Sequence, residues 1–239
     1  MVQAISLNDQ GIRVFVCRLY NHDYLWFSSY EISKLSTALP ILHNYALTYS
    51  LGDFSYGISR ETAPRYEEDL AYIPLYTTPA LATSWSRTRI TYNAINSRSL
   101  RTDDAPRDIN SPDLGWRNYL DPVYPTDEQS AQQLGFTCYV FTFNGQRPKG
   151  VTRLGKKGAA IRILWKEVEK PLAVFRKEPV RPTHPLNPLD ISGQLSLYEP
   201  VSIPPHLLLR TAEIQDDWFI FAGPHRVHVP KKVLTRCQA

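Results

Sequence analysis

Cysteine is scarce in this chain: Cys17, Cys138 and Cys237 are the three among 239 residues, and they lie far apart. No Cys-x-x-Cys pair occurs. The nearest metal-like spacing, His225-x-x-His228, has no third ligand beside it, and on a strand its two rings would point to opposite faces. No metal or cofactor is therefore expected. The odd cysteine count and the polar, signal-free run from Met1 to Gly11 fit a reducing cytoplasm. Each cysteine reads as a small buried hydrophobe. No window approaches the ~20 apolar residues that span a bilayer, so no membrane partner is expected. G-x-S-x-G does not occur, which leaves a hydrolase nucleophile elbow without support. There is no internal repeat and no low-complexity tract. Asp216-Asp217 and Glu67-Glu68-Asp69 read as solvated faces rather than paired catalytic carboxylates.

What is present is an ordinary globular composition, 43% hydrophobic and 21% charged, enough for one large domain or two small ones. Ile12 to Tyr20 is β-rich and almost continuously apolar, as expected of a central strand covered on both faces. "YLWFSS" follows as a short extended piece. The spacing of Ile32, Leu35 and Leu39 predicts a helix over about 29–39. A second helix is predicted over Pro40 to Gly52, with Pro40 in the first turn and Gly52 at the C-cap. Trp85 to Asn93 alternates, with Trp85, Arg87, Arg89 and Thr91 on one face. Leu134 to Gly145 and Ala159 to Trp165 are further strong strands. Ten of the 19 prolines fall in residues 171–239, a stretch ending in an apparent hairpin at Gly223-Pro224. Strands outnumbering helices in this order predict an α+β protein.

Charge is modest in total, formally +4, but polarised along the chain. Gly145 to Lys170 holds eight basic residues against two acidic ones. Trp85 to Arg101 holds Arg87, Arg89, Arg98 and Arg101 and no acid, whereas Thr102 to Glu128 holds seven acids against two arginines. The basic run is interleaved with Gly145, Gly150, Gly155 and Gly158, so backbone amides can approach a phosphate closely. The acidic run is filled with Asp, Asn and Pro and reads as a solvated loop.

Within the basic run, Gly150 to Lys157 falls one residue short of the phosphate loop G-x-x-x-x-G-K-S/T. Lys157 stands where a hydroxyl would place Mg²⁺, and "GAAIRILW" continues as a strand rather than the helix such a loop needs. Several cations spread over sixteen residues suit a string of phosphates better than one triphosphate. The candidate nucleic-acid contacts are Arg147, Lys149, Arg153, Lys156, Lys157 and Arg162. Trp85, Arg87, Arg89 and Tyr92, with Arg98 and Arg101, supply the Arg–aromatic ribbon that single-stranded RNA recognition uses. Helix-turn-helix, zinc-finger and basic-zipper patterns for duplex DNA are missing.

The first strand, then "LHNYALTYSLG" (42–52), "TRITYNAI" (88–95) and "RLGKKGAAIRI" (153–163), resembles the Csc-one family. This is the type I-D branch of the Cas-five group of CRISPR-associated RAMP proteins, and the likeness runs over residues ~10–165. It implies a ferredoxin-like (RRM-related) RAMP domain over 1–170, with a β-hairpin thumb at about 80–133, and a Pro-rich, strand-containing extension over 171–239. It implies a non-catalytic RNA-binding subunit of a Cascade surveillance complex that caps the 5′ handle of CRISPR RNA. The implied neighbours are the backbone subunit, the large subunit and target DNA near the protospacer-adjacent motif. By position, Trp85 to Arg101 would belong to the thumb or its base, and Arg147 to Arg162 would grip handle phosphates. His43 reads first as packing and second as an RNA or partner contact. The chain departs from the family at Lys156-Lys157-Gly158, where an aromatic-containing stretch is expected.

The rival chemistry is metal-independent cleavage of repeat RNA, which needs an acid and a base near a 2′-hydroxyl. His22, His43, Tyr45 and Lys149 are candidates, but they do not cluster in sequence.

Overall fold

The computed structural model describes residues 3–32, 35–53, 64–94 and 113–237. The first part of the chain supplies β1 (Ala4–Ser6), β2 (Arg13–Asn21), β3 (Tyr30–Ile32), β4 (Leu35–Thr37) and β5 (Ile41–Leu42), then helix α1 (Asn44–Leu51). After α2 (Tyr66–Tyr72) come β6 (Leu75–Thr77), β7 (Ala80–Ala82), β8 (Arg87–Ala94) and β9 (Asp113–Leu120). Helix α3 (Glu128–Gln133) leads into β10 (Phe136–Thr142), β11 (Val151–Leu154) and β12 (Ala159–Glu167). The last part holds β13 (Leu172–Arg176), β14 (Gln194–Val201), β15 (Leu208–Gln215), β16 (Asp217–Ala222), β17 (His225–His228) and α4 (Lys231–Cys237). The chain is thus α+β, mostly strand, as the sequence pattern predicts.

The apolar run at Ile12 to Tyr20 becomes β2, the middle of a seven-stranded sheet ordered β11-β12-β2-β10-β7-β5, with β6 also on β10. All these pairings are antiparallel. Strand alternation divides the sheet into two faces. Phe15, Cys17 and Leu19 of β2 share one face with Cys138 and Val140 of β10 and Ile163 of β12. All six are buried, and burying an apolar side chain of this size contributes about 1.5–3 kcal/mol. A one-residue slip would drive Arg18 into this layer, so the register is strongly specified.

Helix α1 packs on that face. Thr48 Oγ1 lies 3.1 Å from Thr77 Oγ1, and the Thr152 hydroxyl donates to Ser50 O at 2.8 Å. The helix begins at Asn44, not Pro40 as the sequence pattern predicts, because Ile41 and Leu42 pair with β7. His43 is the N-cap, its Nδ1 accepting from the Tyr45 N–H at 3.2 Å. Asn44, the better capping residue by type, is instead drawn into a buried network with Tyr76 and Asp190. Gly52 does close the helix, but with φ −72. Glycine is needed there because a Cβ would lie 2.3 Å from Ile73 Cγ2.

The helix predicted over 29–39 is not formed. Its described residues are the strands β3 and β4, and β4 pairs in parallel with β9. Ile32, counted in the helical stripe, is 65% exposed, and tertiary pairing overrides the local spacing. β3, β4, β9 and β8 form a second, smaller sheet. "YLWFSS" runs beside it, with Leu25 bridging Leu120.

The Pro-rich stretch beyond 171 joins the same core. β13 pairs with β1 and β16, and Ala173, Ile220, Val227 and Val233 are buried together with Phe15 and Leu19. The hairpin expected at Gly223-Pro224 is β16–β17. The expectation that Asp216-Asp217 is solvated fails at Asp217, which is fully buried. Asp217 accepts from the N–H groups of Ser192, Gly193 and Trp218, and its Oδ2 lies 3.1 Å from His228 Nε2. Burial works to raise this carboxyl, but His228 and the N–H groups of Gly193 and Trp218 hold it below the usual carboxylate range. In the acidic stretch of α2, Asp69 likewise turns inward, accepting from the Tyr49 hydroxyl at 2.7 Å.

Candidate nucleic-acid interface

The near-P-loop stretch is not one loop but the hairpin β11–β12, turning at residues 155–158. A strand follows the turn, as the sequence pattern predicts. Gly155 has φ +76, and a Cβ there would lie 2.7 Å from Trp26 O and 2.9 Å from Leu25 Cδ1. Only glycine lets the turn dock this closely. The Lys156 N–H then donates to Trp26 O at 2.9 Å, and Arg153 Nη1 donates to Gly158 O at 2.9 Å, closing the turn.

This docking sets the lysines on aromatic rings. Lys156 Nζ lies 4.9 Å from the Trp26 ring centroid, and Lys157 Nζ lies 5.2 Å from that of Tyr119. Arg117 covers Trp26 as well, at 4.2 Å. Contacts of this kind are worth roughly 0.5–2 kcal/mol each. Trp26 and Tyr119 are almost fully buried beneath the cations, so they position charge rather than offer a stacking surface. The turn itself carries no aromatic residue, and the rings beneath its lysines come from Trp26 and β9. Exposed rings for stacking stand nearby at Tyr24, which packs edge-on against Tyr119, and at Tyr30, which lines the same groove as Lys156; exposed Trp85 and Trp116 lie on the far face of the small sheet.

Beside the turn opens a groove of about 680 Å³, lined in part by Tyr30, Glu31, His43, Lys156 and Pro204. His43 and Lys156 thus reach the same space. His43 is buried, with its ring against His206 and Tyr45. Burial first, then the neighbouring His206, lowers its pKa to about 3, so the ring is neutral near pH 7.

The strand predicted over Trp85 to Asn93 is β8, which begins at Arg87 with Trp85 just before it. The Arg87 guanidinium stacks 4.2 Å over Trp85, and Arg89 Nε donates to Asn118 Oδ1 at 3.2 Å. Alternation puts Arg87 and Arg89 on one face of the small sheet and Arg117 and Tyr119 on the other. Arg87 and Arg89 therefore face away from Lys156 and Lys157. Arg98, Arg101 and the side chain of Tyr92 lie outside the described residues, as does the acidic run before Asp113.

The other predicted cations separate. Arg153 and Arg162 point to the sheet face that α1 leaves open. Arg147 sits at the far end of β12, 5.6 Å over Trp165. Lys149 is tied to the end of α1, 2.8 Å from Asp53 Oδ1 and donating to Gly52 O. Of the candidates for RNA cleavage, His43 and Tyr45 meet, with ring centroids 5.0 Å apart, but the other two stand elsewhere. His22 stacks near Tyr124, and His43 and Lys149 stand at opposite ends of α1. His225 Nδ1 lies 2.8 Å from the Tyr139 hydroxyl, and His228 belongs to Asp217. Sequence reasoning missed Trp26, Tyr119 and Arg117. Arg117 sits in a block counted as acidic, and Trp26 in a piece read only as extended; nothing local ties either to the turn.

Residues 12–236 match the family described as type I-D CRISPR-associated protein Cas5/Csc1. The chain belongs to this family. The match extends through the Pro-rich region that the sequence motifs leave uncovered, in keeping with the shared core of β13, β16 and β17. No curated protein matches the chain. Membership implies a role for this Cas5/Csc1 protein in a CRISPR effector complex. Among the described residues no helix is long and apolar enough to cross a membrane.

Proposed function

We propose that this Cas5/Csc1 chain is a non-catalytic RNA-binding subunit of a type I-D Cascade complex, capping the 5′ handle of CRISPR RNA and helping to position target DNA near the protospacer-adjacent motif. The observation that carries the reading is the β11–β12 turn, where Lys156 and Lys157 are held on Trp26 and Tyr119 beside an open groove. Fixed cations next to exposed aromatics suit a single strand whose phosphates are tracked and whose bases are splayed. The fold supports a ferredoxin-like reading: β10 lies between β2 and β6 in the sheet, and α1 falls in the connection from β2 to β6. The β8–β9 hairpin, carrying Arg87 and Arg89, is the natural candidate for the thumb. The cytoplasm, the Cascade backbone and large subunits, and CRISPR RNA are the matching setting and partners.

Endoribonuclease activity is the weaker reading. The histidine nearest the groove is buried and neutral, with its Nδ1 spent on the helix cap. The direct test substitutes glutamate for Arg153, Lys156 and Arg162 together. The folded variant is expected to fail to load CRISPR RNA into the complex; normal loading would overturn the proposal. Labelled repeat RNA incubated with the wild-type protein in EDTA should stay intact, and a cut product would favour the nuclease.

A further inference from the structure

Arg18 stands in the middle of the seven-stranded sheet, on the face that α1 does not cover. Alternation along β2 puts Val16, Arg18 and Tyr20 there, and the register sets Leu164 of β12 and Thr137 of β10 directly opposite Arg18. Arg162 and Lys166 flank Leu164 on the same face, and Arg153 lies across from Ala160 one strand further out. Arg162, Lys166 and Arg153 are exposed, whereas Arg18 is partly buried.

Among the described residues, Arg18, Arg162 and Lys166 have no hydrogen-bond or ion-pair partner, and Arg18 Nη1 is shut off from solvent as well. A partly desolvated guanidinium with no anion beside it is a cost to the fold that a bound anion would offset. Its charge reaches its neighbours: with burial as the larger cause, it helps hold the His225 ring below its ordinary pKa. Strand geometry spaces these cations at steps of about 7 Å, a stride suited to successive phosphates of an extended strand. Exposed Leu164 and Val151 lie between them, apolar contacts for ribose or base.

We propose that the exposed β11–β12 margin of this face, with Arg162 and Lys166 outside and Arg18 at its inner edge beside buried Tyr20 and Tyr139, is a second phosphate track for single-stranded RNA. Arg153, whose Nη1 donates to Gly158 O in the Lys156–Lys157 turn, joins this face to the turn at the end of the hairpin, while Lys156 itself opens to the groove on the α1 side; that junction is what favours RNA over an acidic protein segment. The inference rests on the reading that the chain binds RNA, and it adds Arg18 and Lys166 to the contacts.

The test measures binding of a labelled single-stranded repeat RNA to the full-length protein over a range of salt concentrations. Wild type is compared with Arg18→Gln/Lys166→Gln, with Lys166→Gln alone, and with Lys156→Glu/Lys157→Glu. Each lost phosphate contact should lower the salt slope by about 0.7, so the double variant should lose about 1.4 and bind on the order of tenfold more weakly near 0.1 M salt. Its melting temperature should equal or exceed that of wild type, because an unpaired desolvated charge has been removed. Lys166→Gln, on an exposed site, should show half the slope change whatever Arg18→Gln does to folding. Wild-type affinity and slope in the sheet-face variants, with binding lost in the turn variant, would overturn the second track and leave the handle reading intact. Undisturbed RNA binding with loss of a protein partner from the complex would overturn it in favour of an acidic protein segment. No RNA binding by wild type would refute the handle reading itself and this inference with it.

Discussion

Acid should destabilise this protein well before its carboxylates titrate. His43 and His184 are both buried, and burial is the leading cause that lowers each pKa to about 3. His184 donates from Nδ1 to Pro185 O at 2.7 Å, while its Nε2 accepts from the His228 N–H at 3.1 Å, which leaves no place for a second proton. In the unfolded chain both rings titrate near pH 6.5. Above that pH both states are neutral and the pair contributes no pH dependence. Between pH 6.5 and 3 the unfolded chain binds protons that the fold refuses, so stability falls as pH falls. From pH 7 to pH 5 the loss comes to about 2 kcal/mol per histidine, about 4 kcal/mol for the two. That is a large share of the roughly 5–15 kcal/mol typical of a domain. His225, also lowered, acts in the same sense. Urea unfolding at pH 7 and pH 5, at constant ionic strength, reads the difference directly. His184→Gln should cut the pH dependence by about half. Equal stability at the two pH values would refute the burial of neutral rings at these positions.

Gly155→Val should displace the β11–β12 turn, because the new Cβ meets Trp26 O at 2.7 Å in a left-handed backbone. RNA binding should fall more than tenfold, on the scale of a strained turn costing about 1–3 kcal/mol, and an unchanged affinity in a binding titration would contradict the docking argument. Asp190→Ala should cost about 1–3 kcal/mol by removing the buried acceptor that Tyr76 and Asn44 share, measured as a shift in urea midpoint. Lys149→Ala should leave RNA affinity within about twofold, since an exposed pair such as Lys149–Asp53 is worth roughly 0–1 kcal/mol; a tenfold loss in the same titration would return Lys149 to the interface.

Much of the sheet was legible because β2, β10 and β12 carry period-two or continuous apolar runs that admit few alternatives. The absence of a true P-loop was legible too, from the single substitution at Lys157 and the β-forming residues after it. What stayed hidden depends on tertiary contact. Residues 29–39 have helical spacing, yet the strand β9, some eighty residues later in the chain, captures Leu35 to Thr37. Asp217 beside Asp216 gives no local sign of the buried histidine eleven residues on. The basic run looked like one patch because sequence distance ignores strand alternation, which sends Arg153 and Arg162 to one face and the Lys156–Lys157 turn to another set of neighbours. Trp26 and Tyr119, the rings under that turn, lie in two segments that only the fold brings together.

The most direct test of the central claim is to recover the tagged protein from its native host and sequence the RNA that comes with it. Short RNAs sharing one repeat-derived 5′ handle, arriving with other Cascade subunits, are the predicted result. No enriched RNA, or fragments of random sequence, would contradict a handle-capping role and leave the Lys156–Lys157 turn in need of another ligand.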